Sequence, residues 1–187
     1  VFRSHACLQA NTTADNNTAV GKGALAVNTT GTRNTAIGSL TLDANETGDD
    51  NTAIGQFAMS TNTTGSDNTA LGVNCLDANT TGARNTAIGM NTLSANTTAN
   101  DNTAVGQAAM FLNETGTDNT AVGKSALDAN VSGNYNTAVG KNALTSSTAN
   151  YNTGVGYNVL GACTTGAGNT AVGYEALEEF TTTGNHT

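Results

Sequence analysis

Catalysis needs a nucleophile, a base and a means of holding them together, and residues able to act in this way are few and scattered along the chain. The two histidines, His5 and His186, lie at opposite ends of 187 residues. The three cysteines, Cys7, Cys75 and Cys163, share no metal-ligand spacing, and their odd number excludes a complete set of intrachain disulfides. Neighbouring acids, Asp49-Asp50 and Glu178-Glu179, read as solvated turns rather than as an acid and base pair. The glycines recur along the chain with no helix after them, so they are turn residues and not a phosphate loop. The expectation is a chain that is not an enzyme, with no catalytic, cofactor-binding or metal-binding residues and no cofactor.

The chemistry that does recur is amide and hydroxyl chemistry. Asn-x-Thr/Ser, the acceptor sequence for N-glycosylation, recurs at regular spacing at Asn11, Asn28, Asn45, Asn62, Asn79, Asn96, Asn113 and Asn130. The middle residue changes to Glu46, Glu114 and Val131 and the third to Ser132, so the variation stays within the acceptor sequence. In a secreted chain these eight would be candidate glycan sites. A second reading stands beside it: Asn before Thr-Gly makes an Asx-type turn, and stacked Asn amides form hydrogen-bonded ladders. A branched glycan is also wider than a β rung of roughly 4.8 Å.

These residues belong to a repeat. Asn-Thr-Ala-Val/Ile-Gly begins at Asn17, Asn34, Asn51, Asn68, Asn85, Asn102, Asn119, Asn136, Asn152 and Asn169, seventeen residues apart except for the sixteen from Asn136 to Asn152. Ten tandem copies of Asn-Thr-Ala-Val-Gly-x-x-Ala-Leu-x-x-Asn-Thr-Thr-Gly-x-x mark a solenoid. Thr-, Val- and Ile-rich segments of five residues suit strands, Ala-Leu-x-x supplies a second extended segment, and Gly at position 5 with Asn-Thr-Thr-Gly at positions 12–15 supplies turns. The expected fold is all-β, a parallel β-solenoid or β-roll of about eleven 17-residue coils with two short strands each. It is one domain, 1–187: residues 1–16 form a degenerate first coil, 17–185 the ten repeats and 186–187 the start of a further coil. Such a rod would be roughly 50 Å long.

Composition agrees with repetition rather than a globular core: 37% of residues are hydrophobic, 4% are aromatic, and Pro and Trp are absent. The net charge of −8, with six basic residues dispersed, leaves no basic patch for nucleic acid. No apolar run reaches eighteen residues, so no membrane insertion is expected. A start at Val1 rather than Met suggests a processed protein or a fragment. Every charge except Arg3 falls at repeat positions 6, 7, 10, 11, 13, 16 or 17, which should therefore face water. The missing residue lies within Thr145-Ser146-Ser147-Thr148-Ala149, where a turn can absorb it.

Alternation along the first strand sets Thr at 2 and Val at 4 on one face, and Asn at 1, Ala at 3 and Gly at 5 on the other. The favoured reading puts position 4 inside, so that Val20, Ile37, Ile54, Leu71, Ile88, Val105, Val122, Val139, Val155 and Val172 form one internal ladder and Leu25 to Leu177 at position 9 another. Ile88→Asp should then unfold the middle of the rod. Position 3, namely Ala19, Ala36, Ala53, Ala70, Ala87, Ala104, Ala121, Ala138, Gly154 and Ala171, would be a face packed against a second chain, as around a threefold axis. The reverse assignment puts Asn and Ala inside and leaves Thr and Val as an exposed ladder.

Asn-Thr-Ala-Ile-Gly followed by x-x-Ala-Leu resembles the head repeats of YadA-like trimeric autotransporter adhesins. Asn169 to Tyr174, Asn-Thr-Ala-Val-Gly-Tyr, is similar to arrays of large bacterial surface and phage-fibre-like proteins. The resemblance implies a left-handed roll, trimeric association and an extracellular or cell-surface role in adhesion to cells, matrix or other surfaces. The coil here is seventeen residues, longer than the adhesin repeat. The expected partner is another copy, in a trimer or an end-to-end filament, since Val1 aligns with position 2 and His186-Thr187 with positions 1 and 2, while Phe2 and Phe180 add apolar area near the ends. A different class is ice binding by the ladder Thr18, Thr35, Thr52, Thr69, Thr86, Thr103, Thr120, Thr137, Thr153 and Thr170 beside Val or Ile. Its columns would be roughly 7 Å apart along the strand and 4.8 Å between rungs. A glycosylated fibril subunit is the remaining alternative.

Overall fold

A computed structural model describes residues 6–182 and 184–185. Val1, Phe2, His186 and Thr187, on which the end-to-end alignment rests, lie outside the described residues, as do Arg3 and His5. The rest is a parallel β-solenoid with no helix among the described residues. Ten three-residue strands, β1 (Thr18–Val20), β2 (Thr35–Ile37), β3 (Thr52–Ile54), β4 (Thr69–Leu71), β5 (Thr86–Ile88), β6 (Thr103–Val105), β7 (Thr120–Val122), β8 (Thr137–Val139), β9 (Thr153–Val155) and β10 (Thr170–Val172), form one sheet in chain order. Thr pairs with Thr and Ala with Ala from β1 to β8. Register survives the shorter coil, since Thr137 pairs with Thr153. The strands enclose about nine full turns, slightly fewer than eleven coils.

Only one segment per coil is a strand. Ala-Leu-x-x, expected to be extended, is turn instead, because positions 7 and 9 adopt left-handed backbone; Leu25, Leu42, Met59 and Leu93 have φ of 48°, 49°, 52° and 51°. A β-carbon pays about 1–2 kcal/mol for this conformation. Each of these side chains is fully buried, which returns about 1.5–3 kcal/mol. The position 9 ladder thus lies inside as expected, except that Leu8 is half-buried in the first coil and Leu177 is 37% exposed in the last.

The other internal ladder is not the expected one. All ten position 4 residues, Val20, Ile37, Ile54, Leu71, Ile88, Val105, Val122, Val139, Val155 and Val172, are half-buried or exposed and point outward. Ala36, Ala53, Ala70, Ala87, Ala104, Ala121, Ala138, Gly154 and Ala171 are buried in the coil, and Ala19 is half-buried against the same core. They are therefore not a face for a second chain. The coil is narrow. A Cβ on Gly154 would lie 3.0 Å from Val159 Cγ1 and 3.3 Å from Leu144 Cγ, so position 3 abuts position 8 of its own coil and position 9 of the coil before. Gly at 3 and Val at 8 occur together in that coil alone, where the others carry Ala, Thr or Cys at 8. The wall that keeps position 3 small is the chain itself, and Val or Ile would not fit there.

Asparagines complete the interior. Position 12 amides stack from Asn11 to Asn130: Asn28 Nδ2 donates to Asn11 Oδ1 at 2.8 Å, Asn45 to Asn28 at 2.7 Å, and Asn79 to Asn62 at 2.8 Å. At position 1, Asn Oδ1 accepts the backbone N–H of the next rung's Asn, as Asn17 does from Asn34 at 2.9 Å. Both ladders meet at the position 15 carbonyl: Gly31 O accepts from Asn17 and Asn28 at 2.8 Å each, and Gly48 O from Asn34 and Asn45. Buried amides are tolerated because their hydrogens are used.

Candidate functional site

With Asn and Ala turned inward, the chemistry left at the surface is the strand face. Its threonines are half-buried or exposed in every rung. Among the described residues none of these ten hydroxyls bonds to another protein group, whereas Thr at 13 is engaged; Thr63 and Thr80 Oγ1 donate to the carbonyls of Thr80 and Thr97 at 3.1 and 3.0 Å. Beside the threonines runs the position 4 ridge, with Val20 40%, Ile37 39%, Leu71 44% and Val172 71% exposed. The parallel register sets like residue on like, so the face is a continuous array of hydroxyl and methyl columns.

Two flanking columns bound it. At position 17, Arg33 grips Asp50 through Nε at 2.6 Å and Nη2 at 2.7 Å, and Arg84 grips Asp101 in the same way at 2.6 and 2.8 Å. These forks hold both aspartates below the usual carboxylate range. At position 6, Lys141 Nζ sits 5.6 Å from the centroid of the Tyr157 ring, which stacks on Tyr174. The strand face itself carries no charge.

The remaining candidates are structural. The eight sequon asparagines are not accessible acceptors: Asn28, Asn45, Asn62, Asn79, Asn96, Asn113 and Asn130 are buried in the ladder, and half-buried Asn11 caps it, donating to Ala14 O at 2.9 Å. A glycan on Nδ2 would replace a hydrogen that the ladder or the position 15 carbonyl uses. Asp49 accepts from Thr32 N–H at 2.6 Å and its hydroxyl at 2.8 Å, and Glu178 accepts from Asn158. Cys75 occupies position 8 in the core, as expected of a replaced Ala. Burial pushes its thiol up to about 12, leaving it unreactive.

Sequence reasoning passed over the tyrosines. Tyr135 and Tyr151 stack at 5.3 Å with 2° between their planes. The available signal was positional, since all four tyrosines fall in the last four repeats at positions 17 or 6.

No family model, curated protein or solved structure matches the chain.

Proposed function

We propose that the chain is a structural rod of an extracellular or cell-surface assembly, and that the Thr-x-Val/Ile face is where it packs laterally against further copies. One observation carries this reading. Two outward columns hold only Thr and only Val, Ile or Leu through ten rungs, while the flanking outward columns vary among Arg, Asp, Lys, Tyr and Val. Strand propensity favours β-branched residues, but it does not forbid an occasional charge at a solvent position. A contact along the whole face does. The ridge supplies apolar area and the threonines supply hydrogen-bond groups at its edge. The association expected at the alanine face moves to the opposite face of the same sheet, and adhesion belongs to the assembled rod.

Light scattering and sedimentation over a wide concentration range test it. Dimers or trimers that Ile88→Asp with Val105→Asp dissociate, at unchanged rod content, support the reading; a monomer at millimolar concentration overturns it.

Ice binding is a second reading, favoured by the unbonded threonine hydroxyls in a regular in-register column. Thermal hysteresis that Thr86→Tyr and Thr103→Tyr abolish without unfolding the rod would put this reading in place of the first.

A further inference from the structure

Position 17 is charged at Arg33, Asp50, Asp67, Arg84, Asp101 and Asp118, then becomes Tyr135, Tyr151, Gly168 and Asn185. These last four stand in register. Tyr151 N–H donates to Asn134 O at 3.1 Å, Gly168 N–H to Asn150 O at 3.2 Å, and Asn185 N–H to Ala167 O at 3.0 Å, so each lies one rung beyond the last. Tyr135 covers one face of the Tyr151 ring. On the other side the next rung offers Gly168, which has no side chain to continue the stack, and Tyr151 is 61% exposed. Asn185 Oδ1 lies 2.7 Å and its Cγ 3.6 Å from where a Gly168 Cβ would be, so the Asn185 amide reaches into the space beside Gly168 and forms the floor of this shelf. Thr153 and Thr170 lie in the adjacent outward column with unbonded hydroxyls. Residues 134–137, 150–153 and 167–170 hold no charged side chain.

We propose that the shelf beside Tyr151 binds a neutral saccharide: one sugar ring lays its C–H face on the exposed tyrosine ring, outside the Asn185 amide that fills the space at Gly168, while its hydroxyls bond to that amide and the Thr170 hydroxyl. The surroundings select this chemistry. A nucleobase also stacks, but its phosphates require cations that residues 134–137, 150–153 and 167–170 lack, and the chain carries a net charge of −8. An aromatic side chain of another protein would favour an apolar rim, and here the rim is amide and hydroxyl. An uncharged ring bearing many hydroxyls satisfies both the face and the rim. The inference rests on the rod fold and shares Thr170 with the Thr-x-Val/Ile face, so a copy packed along that face as far as the last rung would compete with the sugar.

With no tryptophan in the chain, emission comes from four tyrosines, all in the last four repeats, and reports the site directly. The whole chain is titrated with maltohexaose, cellohexaose and chitohexaose at up to millimolar concentration, with saturation-transfer NMR as the second readout. Saturable binding of at least one sugar is expected. Tyr151→Ala should weaken it about tenfold or more, the scale of one stacked ring, while Tyr151→Phe and Tyr157→Ala retain it. Tyr151→Ala removes an exposed ring, and its thermal melt will show that the rod persists. Absence of response to all three sugars overturns the proposal, as does equal loss in Tyr157→Ala. An emission change that follows protein concentration without sugar also overturns it, since copies would then be stacking on one another.

Discussion

At the scale of the residue, the difference between inside and outside rests on neighbours such as Ala87 and Ile88. Ala87 is fully buried and Ile88 half-buried, although hydrophobicity alone ranks them the other way. Ala87→Asp should abolish folding of the central rungs, since a lone carboxylate there has no partner. Ile88→Asp, expected from the sequence to unfold the rod, should leave the circular dichroism spectrum intact and lower the melting temperature only slightly. Leu93→Ala should cost about 2–5 kcal/mol, measured by denaturant unfolding. Asp43 offers a pH test. One of its oxygens is enclosed without a partner, and burial raises its pKa above the usual carboxylate value. The fold therefore prefers the protonated form: the penalty is absent below the ordinary carboxylate pKa and complete once pH exceeds the raised one. Asp43→Asn should raise the melting temperature at pH 7 and give no gain in acid well below the carboxylate range.

At the scale of the element, the turn glycine explains most of the regularity. Gly72 has φ of +148°, and a Cβ there would lie 2.3 Å from the Gly89 carbonyl oxygen of the next rung. Gly72→Ala should therefore destabilise the rod by about 2 kcal/mol or more, seen as a lower denaturant midpoint, because both conformation and space forbid the methyl. Repeat length, the position of the Thr-Ala-Val strand and rung register were legible in the sequence because spacing dictates them, whereas the turn at Ala-Leu-x-x was not, because its left-handed residues carry no sequence mark. Which face turns inward was not. Alternation is symmetric between faces, and Val over Ala is a sound guess for a wide core but wrong for one this narrow. The decisive clue was present in a single coil, where Gly154 and Val159 exchange volume across the interior. The asparagines misled for a related reason: the same Asn-x-Thr spells both a glycan acceptor and a buried ladder, and only the enclosure of Nδ2 separates them. Peptide mapping after expression in a glycosylating host should accordingly find the buried asparagines of the ladder, Asn28 to Asn130, unmodified in the folded chain.

At the scale of the whole molecule, each strand touches only the strands before and after it. Stability is then a sum over coils and the interfaces between them, and among the described residues no strand at one end touches a strand at the other. Amide exchange should therefore be slowest in β4 to β7, where rungs lie on both sides, and should quicken toward β1 and β10. A lesion acts differently by place. Ala87→Asp in β5 removes the interfaces on both sides of one rung and separates the array into two shorter blocks, each with fewer interfaces than the intact rod. Its melt should split or broaden, and protection should fall on both sides of β5. Ala171→Asp in β10 breaks only one strand interface, that with β9, so the remaining rungs should keep a single cooperative transition, with protection lost only near the end. Equal loss of protection throughout the rod from either substitution would show that the coils fold as one unit and would remove the nearest-neighbour account.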